Sequence, residues 1–236
     1  MRTDILGIGF DPLTMDGAVA WALKTMAKKQ GAYVCTPNPE IVWKARKDDG
    51  LKAAINGADA VLADGIGVVW ASGMLKTPLP ERVAGYDFLL ALLARMEGRV
   101  FLLGGEAGVA EEAACTIERK FPRVTVAGCR HGYFENDEEI VKAVCEAAPD
   151  LLLVCLGSPK QERWMAEKSN MLPVGLMAGL GGSLDVLAGR AKRAPEKWIR
   201  LHLEWLYRLL KEPSRIKRQI CLPRFVLAVM AQRIKT

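Results

Sequence analysis

The chain has few of the residues from which metal sites and histidine-based triads are built. Only two of its 236 residues are histidines, His131 and His202, so few residues are available for a histidine-based catalytic triad or zinc site. The six cysteines show no C-x-x-C and no paired spacing, which favours apolar core thiols in a reducing compartment. The sequence also contains no Asp-x-Asp pair to clamp a divalent metal on a diphosphate. Carboxylates and arginines are therefore the candidate catalytic groups, and we expect neither a metal ion nor a cofactor.

The sequence also lacks the long apolar run of a transmembrane helix. Its least charged stretch, residues 171–189, contains Pro173, Asp185 and five glycines, and this predicts a buried strand, a loop and a short helix. Residues 1–7 do not have a basic region followed by an apolar one. We therefore expect a cytoplasmic protein without a transmembrane helix.

Half of the residues are apolar, which excludes disordered and fibrous classes and suffices for one large α/β domain, with or without an appendage. Short runs rich in Val, Leu and Ile predict strands, and segments of helical period lie between most of them. Because such continuous apolar strands are typical of sheets buried on both faces, we predict a mostly parallel sheet covered by helices. The predicted strands are 5–10, 33–35, 60–63, 100–103, 124–127, 151–156 and 174–177, and the predicted helices include 15–29, 86–96, 109–121 and 138–147.

Glycine follows nearly every predicted strand, at the sheet edge where ligands bind in such folds. Gly104, Gly157, Gly181 and Gly182 are examples. Glycine lets backbone N–H groups approach a ligand, and the positive end of the next helix suits phosphate. The pattern predicts a nucleotide or diphosphate ligand. Alternatively, each glycine only makes a tight strand-to-helix turn.

Two polar positions stand at the same predicted edge. In Thr36-Pro37-Asn38-Pro39 the prolines fix φ, so Thr36 and Asn38 are held as rigid hydrogen-bonding groups. Asp64 follows the apolar run 60–63 and precedes a glycine. For both Asn38 and Asp64 the alternative role is an N-cap of the following helix.

The last fifth of the chain is strongly basic. Residues 190–236 contain thirteen Lys and Arg against three Glu, a net charge of +10, which leaves −4 for residues 1–189. We therefore divide the chain into a core, 1–189, and a C-terminal helical appendage, 190–236, that faces something anionic. Arg208, Arg215 and Arg218 lie near Pro213, and the guanidinium group of arginine matches the geometry of phosphate. These arginines could therefore bind a diphosphate, or alternatively form a solvated or lipid-facing basic surface. Interleaved Trp and Leu residues favour an interfacial amphipathic segment over a plain packed helical pair.

Seven stretches, in order along the chain, resemble the motifs of the WecG/TagA/CpsF glycosyltransferases, and the match runs from about residue 36 to residue 224. The resemblance implies a Rossmann-like core with a C-terminal appendage that completes the site at the membrane. It also implies inverting, metal-independent transfer of an N-acetylmannosamine-type sugar from a UDP donor to polyprenyl-diphosphate-linked N-acetylglucosamine. The stretches are 36–38, 64–65, 82–87, 157–162, 181–185, 193–195 and 204–215.

The resemblance also implies roles for single residues. Asp64 matches the proposed general base, whereas Thr36 and Gln161 match residues that line the sugar pocket. Arg208, Arg215 and Arg218 would face the UDP diphosphate in place of a metal. The motif residues expected to bind substrate are Asn38, Arg82, Asp87, Gly104, Gly157, Lys160, Gly181, Gly182 and Asp185.

The expected partners are UDP-N-acetylmannosamine, the lipid-linked acceptor and an anionic surface at the inner face of the cell membrane. Oligomeric state is left open, with a homo-oligomer as one possibility. Transfer of another UDP-sugar and a non-enzymatic, nucleotide- or lipid-binding membrane adaptor are the alternative functions. A nucleic-acid partner is not expected, because no RNA- or DNA-binding motif accompanies the charge.

Overall fold

The computed structural model describes residues 1–201, 203–211 and 220–235. The strands are β1 (Thr3–Ile5), β2 (Ile8–Phe10), β3 (Ala32–Cys35), β4 (Ala60–Val61), β5 (Gly98–Gly104), β6 (Val124–Arg130), β7 (Leu151–Cys155) and β8 (Leu176–Gly179). The helices are α1 (Met15–Met26), α2 (Pro39–Ala45), α3 (Asp49–Asn56), α4 (Ile66–Met74), α5 (Gly85–Arg95), α6 (Val109–Lys120), α7 (Glu138–Ala147), α8 (Lys160–Lys168), α9 (Ser183–Leu187), α10 (Glu196–Arg200), α11 (Glu204–Lys211) and α12 (Cys221–Lys235).

Six strands form one parallel sheet in the order β4-β3-β8-β7-β5-β6. Strand β8 lies near its centre and pairs with β3 on one side and β7 on the other. The predicted α/β fold is therefore confirmed. Because all six strands run in the same direction, their carboxyl ends open on one edge, which is where parallel sheets bind ligands.

Alternate residues of each central strand point into two separate apolar clusters. Tyr33 and Cys35 of β3 belong to one cluster, together with Phe101 of β5, whereas Val34 and Leu102 belong to the other. The two-residue period of a strand sends neighbouring side chains to opposite faces. Both faces are covered by helices, which explains why these strands are apolar throughout instead of alternating with polar residues.

Polar side chains fix the start of several helices. Thr14 accepts a hydrogen bond from Gly17 N at the start of α1, and Asp48 accepts one from Leu51 N at the start of α3. Each bond satisfies a backbone N–H that has no partner within its own helix. These caps fix the residues at which α1 and α3 begin.

The predicted strand 5–10 is instead a hairpin outside the main sheet. Strands β1 and β2 pair antiparallel, and Leu6 (φ 54°) and Gly7 (φ 87°) turn the chain between them. Positive φ at both turn residues is the geometry of a tight hairpin turn, although leucine rarely adopts it. Asn56 stabilises the turn, since its side chain accepts from Gly9 N and donates to Gly7 O.

Helix α12 packs onto the core even though it belongs to the basic C-terminal segment. Phe225 is 1% exposed and Val229 is fully buried, and both lie in the cluster that contains Tyr33. Gln232 accepts a hydrogen bond from Leu6 N and donates to Asp4. The division of the chain at residue 190 stays a prediction based on charge. Helix α12, which follows residue 190, packs in the same apolar cluster as side chains that precede residue 190.

The helices that the structure describes are too short or too polar to cross a bilayer. Helix α12 has 15 residues, and a spanning helix needs about 20 predominantly apolar ones.

Replacing Val229 by Ala should lower the free energy of unfolding by about 1–3 kcal/mol, because it removes methyl groups from a closed core. Leu227 lies on the same helix and is 66% exposed, so Leu227→Ala is the matched control and should change stability little. Chemical denaturation of both variants measures the difference. Equal stability of the two variants would contradict the packing of α12.

Candidate active site

Two neighbouring cavities open at the carboxyl edge of the sheet, and Asp64 lies between them. The larger has a volume of about 520 Å³ and the smaller about 280 Å³. Gly85 and Tyr86 also border both. Further residues of the larger cavity are Asn38, Pro39, Glu40, Gly65, Ile66, Gly67, Trp70, Arg82, Ala84, Asp87, Arg193, Glu204, Trp205, Leu222, Phe225 and Val226. Those of the smaller are Leu180, Gly182, Ser183, Asp185, Val186, Arg190, Ala191 and Lys192.

The backbone just before Asp64 is held in place by a neighbouring strand and a neighbouring loop. Leu62 N donates to Cys35 O over 2.9 Å, and Ala63 O accepts from Val83 N over 2.9 Å. Gly65 has φ 98°, a conformation that side chains other than glycine rarely adopt. This residue, rather than Asp64, is the N-cap of α4. The half-buried Asp64 carboxylate is thus placed at the cavities by a rigid turn and is not the cap of the helix.

A chain of ion pairs forms one wall of the larger cavity. Arg82, whose side chain is only 12% exposed, lies 3.2 Å from Glu204 and 3.9 Å from Asp87. Asp87 also pairs with Arg193, and the Arg193 guanidinium stands 5.2 Å from the centre of the Tyr86 ring. Burial raises the pKa of the Tyr86 hydroxyl, and the Arg193 charge opposes that shift. Two arginines and two carboxylates thereby balance each other beside Asp64.

This wall joins the core to the C-terminal segment. Arg82 and Asp87 precede residue 190, whereas Arg193 and Glu204 follow it. Arg82 and Asp87 are predicted from the sequence to bind substrate, whereas Arg193 and Glu204 are not predicted as site residues. Both residues belong to motifs of the family resemblance, 193–195 and 204–215, which could have identified them. No local sequence pattern, however, indicates that Glu204 pairs with Arg82, 122 positions away.

Apolar side chains form the other wall of the larger cavity. Trp70 of α4 and Trp205 of α11 are 40% and 43% exposed, and they line the cavity together with Leu222, Phe225 and Val226. Exposed apolar side chains that lie together in a cavity are typical of a site for a ligand, a partner or a membrane. The larger cavity therefore offers both a charged wall and an apolar one.

The smaller cavity is lined by side chains of both charges. Arg190 and Lys192 are its basic residues, and Asp185 of α9 stands with Asp64 on the acidic side. Arg190 makes two hydrogen bonds of 2.8 and 2.9 Å to Glu112, which lower the pKa of that carboxyl. Arg190 is thus anchored by α6 at the mouth of this cavity, where its charge can interact with an anion.

Thr36 and Gln161 approach the end of β8 from opposite sides. Thr36 Oγ1 donates to Gly179 O over 3.0 Å. Gln161 Oε1 accepts from Gly181 N over 3.0 Å, and Gln161 Nε2 donates to Glu162 Oε1 over 3.0 Å. Thr36 and Gln161 are both buried, and neither is among the described residues that line the two cavities. Their predicted contact with the sugar stays a prediction, and what the structure shows is that they hold the backbone of β8.

Asn38 combines the two roles considered for it. Its side chain accepts from Ile41 N over 3.0 Å and caps α2, and the residue also lines the larger cavity. Pro39 is the first residue of that helix. The capping bond holds the carboxamide oxygen, so a ligand in the larger cavity would meet a side chain of fixed orientation.

Most of the other residues predicted to bind substrate are not among those that line the two cavities. Lys160 Nζ donates to Gly132 O and stands 3.8 Å from the centre of the Phe134 ring, so it faces the loop after β6. Gly104 (φ 141°) is required for packing, because a Cβ there would lie 2.3 Å from Cys155 O. Gly157 (φ 74°) and Gly181 (φ 52°) have no atom within 4 Å of an added Cβ. Of the glycines assigned to substrate binding, Gly182 lines the smaller cavity.

The side chains of the three arginines predicted to bind the diphosphate are not among those that the structure describes. Arg208 lies on α11, but its side chain is outside the described part of the structure. Arg215 and Arg218 lie outside the described residues altogether.

Comparisons with known proteins agree with one another. The family model described as "Glycosyl transferase WecG/TagA/CpsF family" matches residues 3–236. A Bacillus spizizenii protein named N-acetylglucosaminyldiphosphoundecaprenol N-acetyl-beta-D-mannosaminyltransferase is 39% identical over 206 residues, which cover 86% of this chain and 80% of that protein. Proteins of the same name from Bacillus subtilis and Staphylococcus aureus are each 37% identical, and the matches cover 87% and 97% of this chain and 81% and 92% of those proteins.

Proposed function

Because the chain belongs to the WecG/TagA/CpsF family of glycosyltransferases, we propose that it transfers N-acetylmannosamine from UDP-N-acetylmannosamine to polyprenyl-diphosphate-linked N-acetylglucosamine. The transfer is inverting and needs no metal ion. The names of the relatives support this donor sugar and this acceptor. The observation that carries the proposal is the position of Asp64, which borders both cavities and so can face two substrates at once.

The two cavities differ in the substrate that each suits. The smaller one presents Arg190 and Lys192, which suit the diphosphate of the UDP-sugar. The larger one presents Trp70, Phe225 and Val226 next to the C-terminal segment, which suits a sugar that carries a prenyl chain. We therefore place the donor in the smaller cavity and the acceptor in the larger one.

In the proposed reaction, Asp64 takes the proton from the acceptor hydroxyl. The hydroxyl oxygen forms a bond to the anomeric carbon as the bond from that carbon to the UDP oxygen breaks, and UDP leaves with the electron pair. Attack from the side opposite UDP inverts the configuration. Holding both substrates against one carboxylate supplies the alignment that a two-substrate reaction needs.

The leaving diphosphate needs positive charge at the moment the bond breaks. Arg190 and Lys192 line the proposed donor cavity, and the basic segment after residue 204 supplies Arg208, Arg215 and Arg218 in the same proposal. These side chains take the place of a metal ion.

The proposed site of action is the inner face of the cell membrane, where the protein binds peripherally. The segment from residue 190 carries a net charge of +10, and each basic residue near an anionic surface contributes about 1 kcal/mol of attraction. Apolar side chains are exposed on the same segment, namely Leu201, Trp205, Leu210, Ile220, Leu227, Met230 and Ile234. Basic charge and exposed apolar side chains together are typical of interfacial binding.

Replacing Asp64 by Asn should reduce turnover about 10²–10⁴-fold while leaving UDP binding nearly intact, because the amide cannot accept the proton. Asp16 is exposed and pairs with Arg95, and neither residue lines a cavity, so Asp16→Asn is a matched control and should keep full activity. The measurement is transfer of labelled sugar to a soluble prenyl-diphosphate acceptor. Unchanged turnover in Asp64→Asn would contradict the assignment of the base.

Transfer should survive an excess of chelator, because protein cations neutralise the leaving diphosphate in the proposed reaction. The same labelled-sugar assay, run with and without EDTA, measures this. Loss of activity on chelation, with recovery on adding magnesium or manganese, would contradict metal independence.

Replacing Arg208, Arg215 or Arg218 singly by Ala should slow turnover with the soluble acceptor and leave vesicle binding nearly unchanged. One charge among thirteen matters little for adsorption but much for a diphosphate contact. Arg224, exposed on α12, provides the control, since Arg224→Ala removes the same charge and should leave turnover unchanged. Equal turnover in all four variants would show that diphosphate stabilisation comes from elsewhere.

A further inference from the structure

Helix α8 begins with a buried carboxyl that the proposed reaction does not use. Glu162 is 2% exposed, and its Oε1 accepts the hydrogen bond from Gln161 Nε2. Within the described ranges neither Glu162 Oε2 nor Ser158 Oγ has a hydrogen-bond partner of ordinary geometry, although the Ser158 hydroxyl interacts with the Glu162 carboxyl. Burial raises the pKa of the Glu162 carboxyl, and the Gln161 amide and the Ser158 hydroxyl oppose that shift. A buried carboxyl with so few hydrogen bonds costs folding free energy, so its presence calls for an explanation.

The hydrogen bond from Gln161 suggests that explanation, because it fixes which way the Gln161 amide points. A backbone N–H can only donate, so Gly181 N requires the amide oxygen on its side, 3.0 Å away. The amide nitrogen then faces Glu162, which accepts from it. With both partners present, one of the two amide orientations satisfies both contacts and the flipped one satisfies neither.

Several hydrogen bonds hold this turn, since Leu180 N donates to Val154 O and the Ser183 hydroxyl donates to Leu180 O. The bond to Gln161 matters because it is made at Gly181 itself, where an added Cβ would meet no atom within 4 Å. Its neighbours Leu180 and Gly182 line the smaller cavity. Thr36 holds the strand just before the turn, at Gly179 O, whereas Gln161 holds the turn itself.

We propose that Glu162 is a positioning residue for the donor site, because it fixes the Gln161 amide and thereby holds the Gly181–Gly182 backbone at the wall of the smaller cavity. Glu162 acts through Gln161 and does not contact the substrate. The proposal rests on the proposed function in one respect only, which is that the smaller cavity holds the UDP-sugar.

The first test compares Glu162→Leu with Glu162→Gln. Leucine fills a similar volume and cannot accept a hydrogen bond, whereas glutamine keeps an acceptor for Gln161 Nε2. Glu162→Leu should weaken UDP binding and raise the donor KM about tenfold, the size expected for one buried charge-assisted hydrogen bond. The acceptor KM should stay unchanged, and Glu162→Gln should restore donor binding. A purely structural role would instead lower stability without separating the two KM values.

A double-mutant cycle tests whether Glu162 acts through Gln161. Gln161→Ala removes the amide, so adding Glu162→Leu to it should weaken UDP binding no further. Additive losses in the double variant would overturn the proposal. Equal donor KM in Glu162→Leu and the unaltered protein would overturn it as well, and so would failure of Glu162→Gln to restore binding.

Hydrogen exchange at the Gly181 amide gives a readout that needs no substrate. Its protection depends on Gln161 Oε1, so it should fall in Glu162→Leu and Gln161→Ala and persist in Glu162→Gln. If the unaltered protein bound no UDP, the proposed function would fail, and the exchange measurement would still decide the positioning role. Unchanged protection in Glu162→Leu would overturn that role even in an active enzyme.

Discussion

The carboxyl end of β8 is the point from which the site is built. Thr36, the residue after β3, and Gln161 of α8 bond to its backbone from opposite sides, at Gly179 O and Gly181 N. Because β8 lies between β3 and β7, these two bonds tie the end of a central strand to elements on both sides of it. The turn that follows leads directly into α9 and the wall of the smaller cavity. Side chains predicted to contact the sugar therefore also shape the pocket that would hold it.

The C-terminal segment completes the larger cavity through two kinds of contact. Glu204 pairs with Arg82 at 3.2 Å, and Phe225 is buried against the core while it also lines the cavity. The ion pair orients the segment, and burial of Phe225 supplies most of the stabilisation, since desolvation of a largely buried ion pair offsets much of its attraction. The basic segment and the catalytic core thus share one wall.

The sequence allowed the parallel sheet to be predicted because β3, β5, β7 and β8 are apolar on both faces, and few other arrangements bury such strands. The hairpin at residues 3–10 escaped prediction, because Leu6 adopts a positive φ that its residue type rarely takes. The position of Asp64 at the edge followed from the apolar run before it. The pairing of Arg82 with Glu204 joins residues 122 apart, so only the folded chain reveals it. Likewise, the buried bonds of Gln161 could not be read from the motif that contains it.

The placement of Asp64 between two cavities also makes a side reaction with water possible. In the proposed reaction a carboxylate that activates a sugar hydroxyl can activate water equally well, since both offer an O–H group. A donor bound while the larger cavity holds only water would therefore be open to hydrolysis. Trp70, Trp205 and Phe225 form the apolar wall of that cavity, so the same side chains that suit a prenyl-linked acceptor also disfavour the competing nucleophile.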